Sequence, residues 1–542
     1  MKRKVTALTL LLCFVMLCSC GRAVESPASG SSDAQTGTEL VEITFVNVVD
    51  PTFVDQTINK LPGETFEDNR WTRLIEEELG YKITYKWLVN DWDQYNQKFN
   101  AAMAAGDLPD VVTVNGRVQL KQLISAGLVI DIKDIYETYA SPLLKEILQS
   151  DSPNPVTAAT VDGVWYGFPY VVGDIEYSSL LWVREDWREK SGLAVPRTID
   201  EMADMIEAFI EFGGEDAVGF AINKGLFGNN LGITGLIEAY GGFYNIWVER
   251  DGKLAFSNVL PEFKLGMAKA AEFYDRGFFD IEFTVKDQAM VNEGIIAGKN
   301  GIFYGPHYAS LNTLKQCRIL DPEADWYPHQ IPTADGSPAK VGLRMGTNNW
   351  YVVSKNTKTP EAFIKLMNLY VDKTFDPVKQ EYEYYSNPAP DINNVWMLSP
   401  VRQYTPNKNV NITRKIADNI KNNDPGDLFG ESYAMWDNVM KGLAGDVDYY
   451  GWMRIYGPKG SCELQGSYLD GNQTVRDMFF GAPTATMETH FTIINDAFIE
   501  TMVQIVIGQR PVDDYDKAVQ EWLNAGGQKI TDEVNEWYAA NK

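Results

Sequence analysis

The hydrophobic and polar positions of the chain switch between a strand pattern and a helix pattern from residue 40 onwards. Val41–Val46 begins with period two and becomes continuously apolar, which is typical of a strand that enters a buried sheet. Helical spacing follows over Phe66–Leu79, and a second strand pattern covers Tyr81–Val89. A predicted helix, Asp91–Ala105, then precedes the apolar strand Val111–Val114. This β-α-β-α-β order predicts parallel strands joined by helical crossovers.

The later parts of the chain continue this alternation with one exception. A strand is predicted over Tyr177–Val183 and a helix over Thr198–Phe212, with the apolar residues of the helix on one face. Apolar spacing predicts two C-terminal helices, Val512–Leu523 and Ile530–Tyr538. The segment Lys373–Phe480 lacks clear periodicity and is rich in Tyr, Trp, Asn, Gly and Pro. We therefore predict that it is a loop-rich insertion that folds over a cleft.

The first 20 residues have the pattern of a secretory signal. Lys2–Lys4 is basic, and Val5–Leu17 is apolar but too short to span a bilayer. The Leu-Cys-Ser-Cys sequence that ends at Cys20 resembles a bacterial lipobox, so Cys20 would be the lipidated first residue at the extracytoplasmic face of the cell membrane. A flexible tether rich in Ser, Gly, Ala and Thr would follow over residues 20–39. An ordinary secretory signal that contains Cys20 is the alternative.

Composition and charge narrow the classes of partner. A chain of 542 residues with 45% hydrophobic content can bury one large core or two. The formal net charge is −26, and removal of three basic residues with the signal makes it about −29. Such a surface repels nucleic acid and anionic lipid headgroups, so we expect neither as a partner. An anionic sugar stays compatible with this charge if Arg117 or Arg344 lines the binding cleft.

Motifs for catalysis and metal binding are weak. The chain has no G-x-S-x-G elbow and no G-x-G-x-x-G fingerprint. Its three histidines are far apart and show no H-x-x-x-H spacing. Cys317 and Cys462 are the cysteines outside the signal, and they either form one disulfide or stay free. We expect no catalytic residue, no cofactor and no metal, although a pair of glycosidase carboxylates cannot be recognised from sequence.

Polar and aromatic residues follow several of the predicted apolar strands. In doubly wound sheets, ligands bind outside the carboxyl ends of the strands. Aromatic rings stack on the C–H faces of sugars, while amide, carboxylate and guanidinium groups bond the hydroxyls. Core packing is the alternative role for each aromatic residue. The candidates are Asp50, Asn115, Arg117, Tyr304, His307, Tyr308, Asn349 and Trp350.

Four segments in order resemble signatures of family 1 extracellular solute-binding proteins, which are the receptors of carbohydrate ABC importers. Ala102–Val112 is similar to A-S-G-x-x-P-D-[IV], and Ala126–Ile132 is similar to G-L-[IL]-x-[DP]-[IL]. Asp162–Pro169 resembles D-G-x-x-Y-[AG]-[FI]-P, and Leu181–Thr198 resembles Y-N-K-D-x followed by G-x-x-x-P-x-T. The C-terminal stretch Gly508–Tyr538 is similar to the long lipoproteins of Gram-positive bacteria in this family.

The resemblance implies an α/β, periplasmic-binding-protein-like fold of type II. It has two lobes, each a doubly wound sheet, with the ligand cleft between them. The implied boundaries are a lipoprotein signal peptide at 1–19, a tether at 20–39, an N-terminal lobe at 40–168 and 302–350, and a C-terminal lobe at 169–301 and 351–542 that includes the insertion 373–480.

Further ligand contacts follow from the same resemblance. Asp174 and Tyr177 fall where the first strand of the second lobe faces ligand. The segment Gly298–His307 resembles the part of maltose-binding members that ends in N-G-P-W, whose tryptophan stacks on sugar. His307 takes the position of that tryptophan and Tyr304 that of the asparagine, with Tyr308 adjacent to them.

The implied function is that of a lipid-anchored monomeric receptor that delivers a sugar, expected to be an oligosaccharide, to the membrane permease subunits of an ABC importer. Some relatives carry a calcium loop where this chain has Gly213–Ala217, which lacks alternating Asp and Asn ligands, so we predict no metal. A receptor for a non-sugar solute, a sensor-linked binding protein and a secreted glycan-cleaving enzyme are the alternatives.

Overall fold

A computed structural model describes residues 39–150, 154–170, 175–214, 217–345, 347, 349–389, 392 and 394–542. The predicted signal peptide and Cys20 lie outside these residues. Within the ranges given, no helix is long and apolar enough to cross a membrane. The fold described below is that of Leu40–Lys542.

The first part of the chain alternates short strands and helices. Its elements are β1 (Val41–Val48), α1 (Pro51–Gln56), α2 (Arg70–Leu79), β2 (Tyr81–Val89), α3 (Trp92–Ala105), β3 (Val111–Asn115), α4 (Arg117–Ser125), α5 (Lys133–Tyr139), α6 (Pro142–Gln149), α7 (Asn154–Thr157), β4 (Thr160–Val161), β5 (Val164–Trp165) and β6 (Gly167–Pro169).

The middle and the end of the chain contain longer helices. The middle elements are β7 (Leu180–Arg184), α8 (Glu185–Ser191), α9 (Ile199–Gly213), α10 (Thr234–Glu238), β8 (Trp247–Arg250), β9 (Lys253–Phe256), α11 (Pro261–Asp275), α12 (Gln288–Ile296), β10 (Ile302–Gly305), α13 (Thr313–Leu320), β11 (Trp326–His329), β12 (Val341–Leu343), β13 (Asn349–Val353) and α14 (Ala362–Thr374). The last elements are α15 (Tyr382–Tyr385), α16 (Lys408–Asn422), α17 (Gly430–Leu443), α18 (Tyr450–Tyr456), α19 (Ser461–Asp470), β14 (Thr474–Arg476), α20 (Thr492–Val506), α21 (Asp514–Trp522) and α22 (Gln528–Asn541).

The helix ends follow the capping residues of the sequence. Helix α2 begins after Asn69, whose side chain accepts hydrogen bonds from two backbone N–H groups of the first turn, and ends at Gly80 with a φ of 68°. The structure starts this helix four residues later than predicted because Asn69 is the N-cap. Helix α3 begins after Asp91 and ends at Gly106, as predicted.

The first lobe is built on one hydrophobic core of residues from 43–168 and 350–401. Strands β1 and β2 pair in parallel, as the crossover pattern predicts. Strand β13 lies between β3 and β6 and is antiparallel to both. Helix α14 packs on this sheet, where the rings of Phe168 and Phe363 lie 5.6 Å apart.

The second lobe is built on a separate core of residues from 175–343, 410 and 468–538. Its central sheet has the order β10-β7-β11, and both pairs are antiparallel. All five residues of β7 are buried. The predicted inward face of α9, which carries Met202, Ile206 and Phe209, is buried in this core.

The lobe boundaries in the structure differ from those that the sequence analysis implied. Residues 302–343 pack in the second lobe rather than the first, because β10 and β11 pair with β7. Residues 351–401 pack in the first lobe, because β13 and α14 complete its core. The segment 373–480 is mostly helical rather than loop-rich, since α15–α19 all lie within it.

The chain changes from one core to the other after Phe168 and before Ile175, after Leu343 and before Trp350, and after Val401 and before Val410. These crossings place segments from distant parts of the sequence along one cleft between the lobes. Cys317 and Cys462 are both buried and free, and they lie in different side-chain clusters. Of the two alternatives left open by the sequence, the structure therefore has two free thiols rather than a disulfide.

Candidate functional site

An aromatic cavity of about 610 Å³ lies between the lobes. The first lobe contributes Tyr170 and Trp396, and the second contributes Tyr177, Tyr308 and Trp452. The side chains of Tyr177 and Tyr308 are 50% and 44% exposed, so their ring faces are accessible to a ligand. A volume of this size is typical of cavities that bind small molecules.

A layer of buried polar groups supports one wall of the aromatic cavity. His307 Nδ1 lies 3.1 Å from the carbonyl oxygen of Glu176, and His307 Nε2 lies 3.3 Å from the side-chain nitrogen of Asn409. Because a carbonyl oxygen only accepts, Nδ1 carries the proton and Nε2 accepts from Asn409. The side-chain oxygen of Asn409 in turn accepts from the hydroxyl of Tyr456 at 2.7 Å. His307 therefore holds the wall in place and has no free nitrogen for a ligand.

Charged groups in the same layer are also paired within the protein. Lys408 and Glu431 form an ion pair with side chains that are 13% and 10% exposed. Glu176 accepts from the backbone N–H of Asn409 at 3.3 Å. Burial raises the pKa of Glu176 to about 7 and lowers the pKa of His307 to about 4. The layer behind the aromatic rings therefore has almost no net charge at neutral pH.

A second cavity of about 530 Å³ adjoins the first at Tyr177, which lines both. We call it the arginine cavity because Arg117 from the first lobe and Arg344 from the second both line it. The Arg117 guanidinium donates to the carbonyl oxygens of Phe479 at 3.1 Å and Gly481 at 2.7 Å. Since these acceptors belong to the second lobe, Arg117 holds the two lobes together on this side of the cleft.

Other polar groups of the arginine cavity have fewer partners. The exposed guanidinium of Arg344 lies over the ring of Tyr244, 5.3 Å from its centroid, and forms no ion pair with a described residue. Glu238 Oε1 accepts from the N–H of Gly342 at 2.7 Å, whereas its buried Oε2 has no hydrogen-bond partner among the described residues. The buried side-chain oxygen of Asn349 also has none. Burial raises the pKa of Glu238 to about 8, so its carboxyl group is mostly neutral at pH 7.

Five of the ten ligand-contact residues expected from the sequence line this pair of cavities. Tyr177, His307 and Tyr308 line the aromatic cavity, while Arg117, Asn349 and again Tyr177 line the arginine cavity. The structure therefore brings together residues that are far apart along the chain. Their contact with a ligand stays a prediction.

Tyr304 and Trp350 do not lie at the cleft, and this part of the expectation does not hold. Trp350 is fully buried between β3 and β6, and its indole nitrogen donates to the carbonyl of Pro155 at 2.9 Å. Tyr304 is 2% exposed in the second core, where its ring lies against Gly235. Both residues stand within a strand rather than beyond its end, so they pack in the cores.

The other expected contacts lie outside the two cavities or outside the described part of the chain. Asp50 caps helix α1 by accepting from the N–H of Thr52 at 2.7 Å, and only the far end of that helix, Gln56, reaches the aromatic cavity. Asn115 pairs with Asn349 in the sheet but does not line the arginine cavity. Asp174 and the lipidation candidate Cys20 lie outside the described residues.

Several cavity residues were missed by the sequence analysis. Trp396, Tyr404 and Trp452 come from the segment 373–480, whose aromatic content was the only available signal. Glu238 could not be recognised among 74 acidic residues, because only the fold buries it. No group of His, Cys, Asp and Glu suited to a metal occurs among the residues that the structure describes, and Glu215 and Asp216 of the compared calcium loop lie outside them.

Comparison with known proteins places this architecture in a family. Lipoprotein LipO of Bacillus subtilis (strain 168) is 21% identical over 501 residues, which are 87% of this chain and 89% of LipO. The polygalacturonan/rhamnogalacturonan-binding protein YtcQ of the same organism is 23% identical over 490 residues, 88% of this chain and 89% of YtcQ.

The fold is shared with a solved structure of low sequence identity. The HMO binding ABC-transporter associated solute binding protein from Bifidobacterium longum infantis ATCC 15697 superposes with a TM-score of 0.66 at 16% identity, over 92% of this chain and 99% of that chain. The family model for bacterial extracellular solute-binding proteins matches residues 74–374, a range that crosses both lobes. The chain therefore belongs to the bacterial extracellular solute-binding protein family.

Proposed function

We propose that this protein captures an oligosaccharide in the cleft between its lobes and delivers it to the permease subunits of an ABC importer. The observation that carries the proposal is the set of accessible aromatic rings, from both lobes, around one cavity of about 610 Å³. Ring faces bind the C–H faces of sugars, and the adjoining polar groups suit their hydroxyls. The name of YtcQ as a glycan-binding protein supports a carbohydrate ligand.

The proposed mechanism is capture followed by closure of the lobes. A ligand that contacts both lobes binds the closed form more tightly, so it shifts an open–closed equilibrium towards the closed form. The contacts of Arg117 with Phe479 and Gly481 stabilise that form. The closed receptor is then the state that the permease recognises.

Attachment to the membrane completes the proposal. The lipidated Cys20 anchors a monomeric receptor at the extracytoplasmic face of the cell membrane, and the tether gives it reach. The name of LipO as a lipoprotein supports this anchor. The receptor returns its ligand unchanged, because its role is binding rather than catalysis.

The test is ligand binding by the mature protein carrying Cys20→Ala, measured by thermal shift and calorimetry with a panel of neutral and acidic oligosaccharides. A ligand at 100 times its Kd stabilises the protein by about 2.7 kcal/mol. For the glycan that binds, we expect Tyr308→Ala to raise Kd about tenfold, which corresponds to about 1.4 kcal/mol of lost contact. Tyr139→Ala is the matched control, since Tyr139 is 42% exposed and lines neither cavity.

Three results would contradict the proposal in different ways. Thermal shifts with peptides or polyamines but with no glycan would point to a non-sugar solute. Shortened glycans after incubation would show a glycan-cleaving enzyme. Glycan binding that Tyr308→Ala leaves unchanged would place the ligand outside the aromatic cavity.

A further inference from the structure

The arginine cavity contains hydrogen-bonding groups that the protein itself does not use. The guanidinium of Arg344 lies over the ring of Tyr244 and forms no ion pair within 4 Å with a described residue. Glu238 Oε2 and the side-chain oxygen of Asn349 are buried and lack hydrogen-bond partners within the described ranges. Leaving a buried polar atom unpaired destabilises a fold by about 1–3 kcal/mol. Two buried oxygens without partners and one exposed guanidinium around the same cavity indicate that a ligand satisfies them.

The charges around this cavity leave an excess of positive charge. Arg117 and Arg344 are the cationic residues that line it, and Glu238 and Asp477 are the acidic ones. Asp477 accepts from the backbone N–H of Trp247 at 3.0 Å and lies close to both Arg117 and Arg344, so its single negative charge offsets only one of these two positive charges. Burial keeps Glu238 mostly neutral. One of the two guanidinium charges is therefore not offset within the cavity, and Arg117 is the one that already donates hydrogen bonds to the protein.

We infer that the ligand is an acidic oligosaccharide and that the carboxylate of one of its sugar residues binds to Arg344 in the arginine cavity. This inference rests on the proposed function, because it assigns one end of the same cleft. A guanidinium group binds a carboxylate through two parallel hydrogen bonds. The oxygen of Asn349 accepts from a hydroxyl of the same sugar, and the carboxyl O–H of Glu238 donates to one. The remainder of the ligand extends past Tyr177 into the aromatic cavity.

The net charge of the chain does not prevent this binding. Solvent-exposed charges more than about 8 Å apart are largely screened at physiological ionic strength, whereas a hydrogen-bonded pair inside a cleft is screened much less. The net charge of −26 therefore slows the approach of an anion mainly at low salt. We expect association with acidic ligands to become faster as the salt concentration rises.

The test compares each acidic oligosaccharide with its carboxyl-reduced counterpart of the same length. The mature protein is titrated by calorimetry with oligogalacturonate and oligomannuronate, and with the reduced forms of both. We expect at least one acidic member to bind ten times or more tightly than its reduced partner. Arg344→Gln should weaken the acidic ligand tenfold or more and leave the reduced ligand unchanged, while Arg344→Lys should lie between. Arg510→Gln is the matched control, because Arg510 is a surface arginine outside both cavities.

The outcomes separate this inference from the proposed function. Equal or tighter binding of the reduced ligands, or binding of neutral glycans only, overturns the inference and leaves the proposed function in place. Unchanged binding of the acidic ligand to Arg344→Gln also overturns it. Binding of a sulfated oligosaccharide without carboxylates, in place of the uronates, overturns the carboxylate assignment. If no glycan binds, the proposed function fails and this inference fails with it.

Discussion

The two cavities that meet at Tyr177 differ in how their polar groups are satisfied. Behind the aromatic cavity, His307, Asn409 and Glu176 bond one another, and Lys408 is paired with Glu431. Around the arginine cavity, Glu238 Oε2 and the side-chain oxygen of Asn349 have no hydrogen-bond partner in the part of the chain that the structure describes. The aromatic cavity is thus backed by a hydrogen-bonded layer and exposes ring faces to a ligand. The arginine cavity instead exposes hydrogen-bonding groups that the described residues leave unused. Changes in the buried layer behind the aromatic cavity should therefore affect stability, whereas changes at the unused groups of the arginine cavity should affect ligand choice.

The largest expected effect is on the buried ion pair. Lys408→Met leaves the carboxylate of Glu431 buried and unpaired, which should lower the free energy of unfolding by about 3–5 kcal/mol. Arg344→Met in the other cavity should change it by less than about 0.5 kcal/mol, because Arg344 is exposed and forms no ion pair within 4 Å with a described residue. Urea denaturation of both variants measures the contrast.

A double variant controls for the loss of the lysine side chain itself. Lys408→Met combined with Glu431→Gln removes both charges, and it should recover most of the stability lost in Lys408→Met. If the double variant were as unstable as the sum of the two single changes, packing rather than charge would explain the loss.

A smaller effect is expected where the two lobes touch. Arg117→Gln removes the charge from the hydrogen bonds to Phe479 and Gly481 while its amide can still donate one, so the contact between the lobes should weaken by about 1.5–3 kcal/mol in total. The closed form should therefore become less populated, and Kd should rise by a similar factor for acidic and neutral ligands. Small-angle scattering without ligand should show a larger radius of gyration. A loss confined to acidic ligands would instead give Arg117 the role assigned to Arg344.

The last effect concerns pH, and it is the smallest when it is compared over a single pH unit. Burial raises the pKa of Glu238 from 4.5 to about 8, so in this window the folded protein keeps a proton that the unfolded chain has released. The contribution of Glu238 to stability is thus present below about pH 4.5 and is lost as the pH rises towards 8, by at most about 1.4 kcal/mol per pH unit. Glu238→Gln should gain stability relative to wild type across this range, measured by urea denaturation at each pH. Glu146→Gln, at an exposed position on α6, should show no such trend.

Urea denaturation at each pH should also show that the stability contributed by the two cavities depends differently on pH. In the aromatic cavity, burial raises the pKa of Glu176 to about 7 but lowers that of His307 to about 4. Their contributions change with pH in opposite directions over nearly the same range, so they offset each other. The double variant Glu176→Gln and His307→Gln should change the pH dependence of the free energy of unfolding less than Glu238→Gln alone does. A larger change would contradict this offset.

Much of the fold was predictable because local signals set it. The caps at Asp91 and Gly106 fixed helix α3, and the inward face of α9 followed from its spacing. The lobe boundaries were not predictable in the same way. Whether β10 joins the first or the second sheet depends on its pairing with β7, which lies more than a hundred residues earlier and leaves no local pattern.

The candidate site was predictable only in part, for a physical reason that Tyr308 and Trp350 illustrate. Both are aromatic residues in or just after an apolar strand, but Tyr308 lies beyond the end of β10 and is 44% exposed. Trp350 is the second residue of β13 and has a strand on each side. A shift of a few residues in the strand boundary thus decides between cleft and core, and sequence periodicity does not resolve such a shift.

The position of β13 in the first-lobe sheet has a consequence for the order in which the chain can fold. Its neighbours β3 and β6 are synthesised much earlier, and at usual rates of synthesis β13 follows β6 by roughly 10 to 40 seconds. Until β13 has been made, β3 and β6 each have unpaired backbone groups along one edge, and another chain can pair with them. A protein with this order of strands cannot complete its first lobe before residues 349–353 have been made. The strands of the second-lobe sheet, β7, β10 and β11, are all made before β13, so that sheet can form before the sheet of the first lobe.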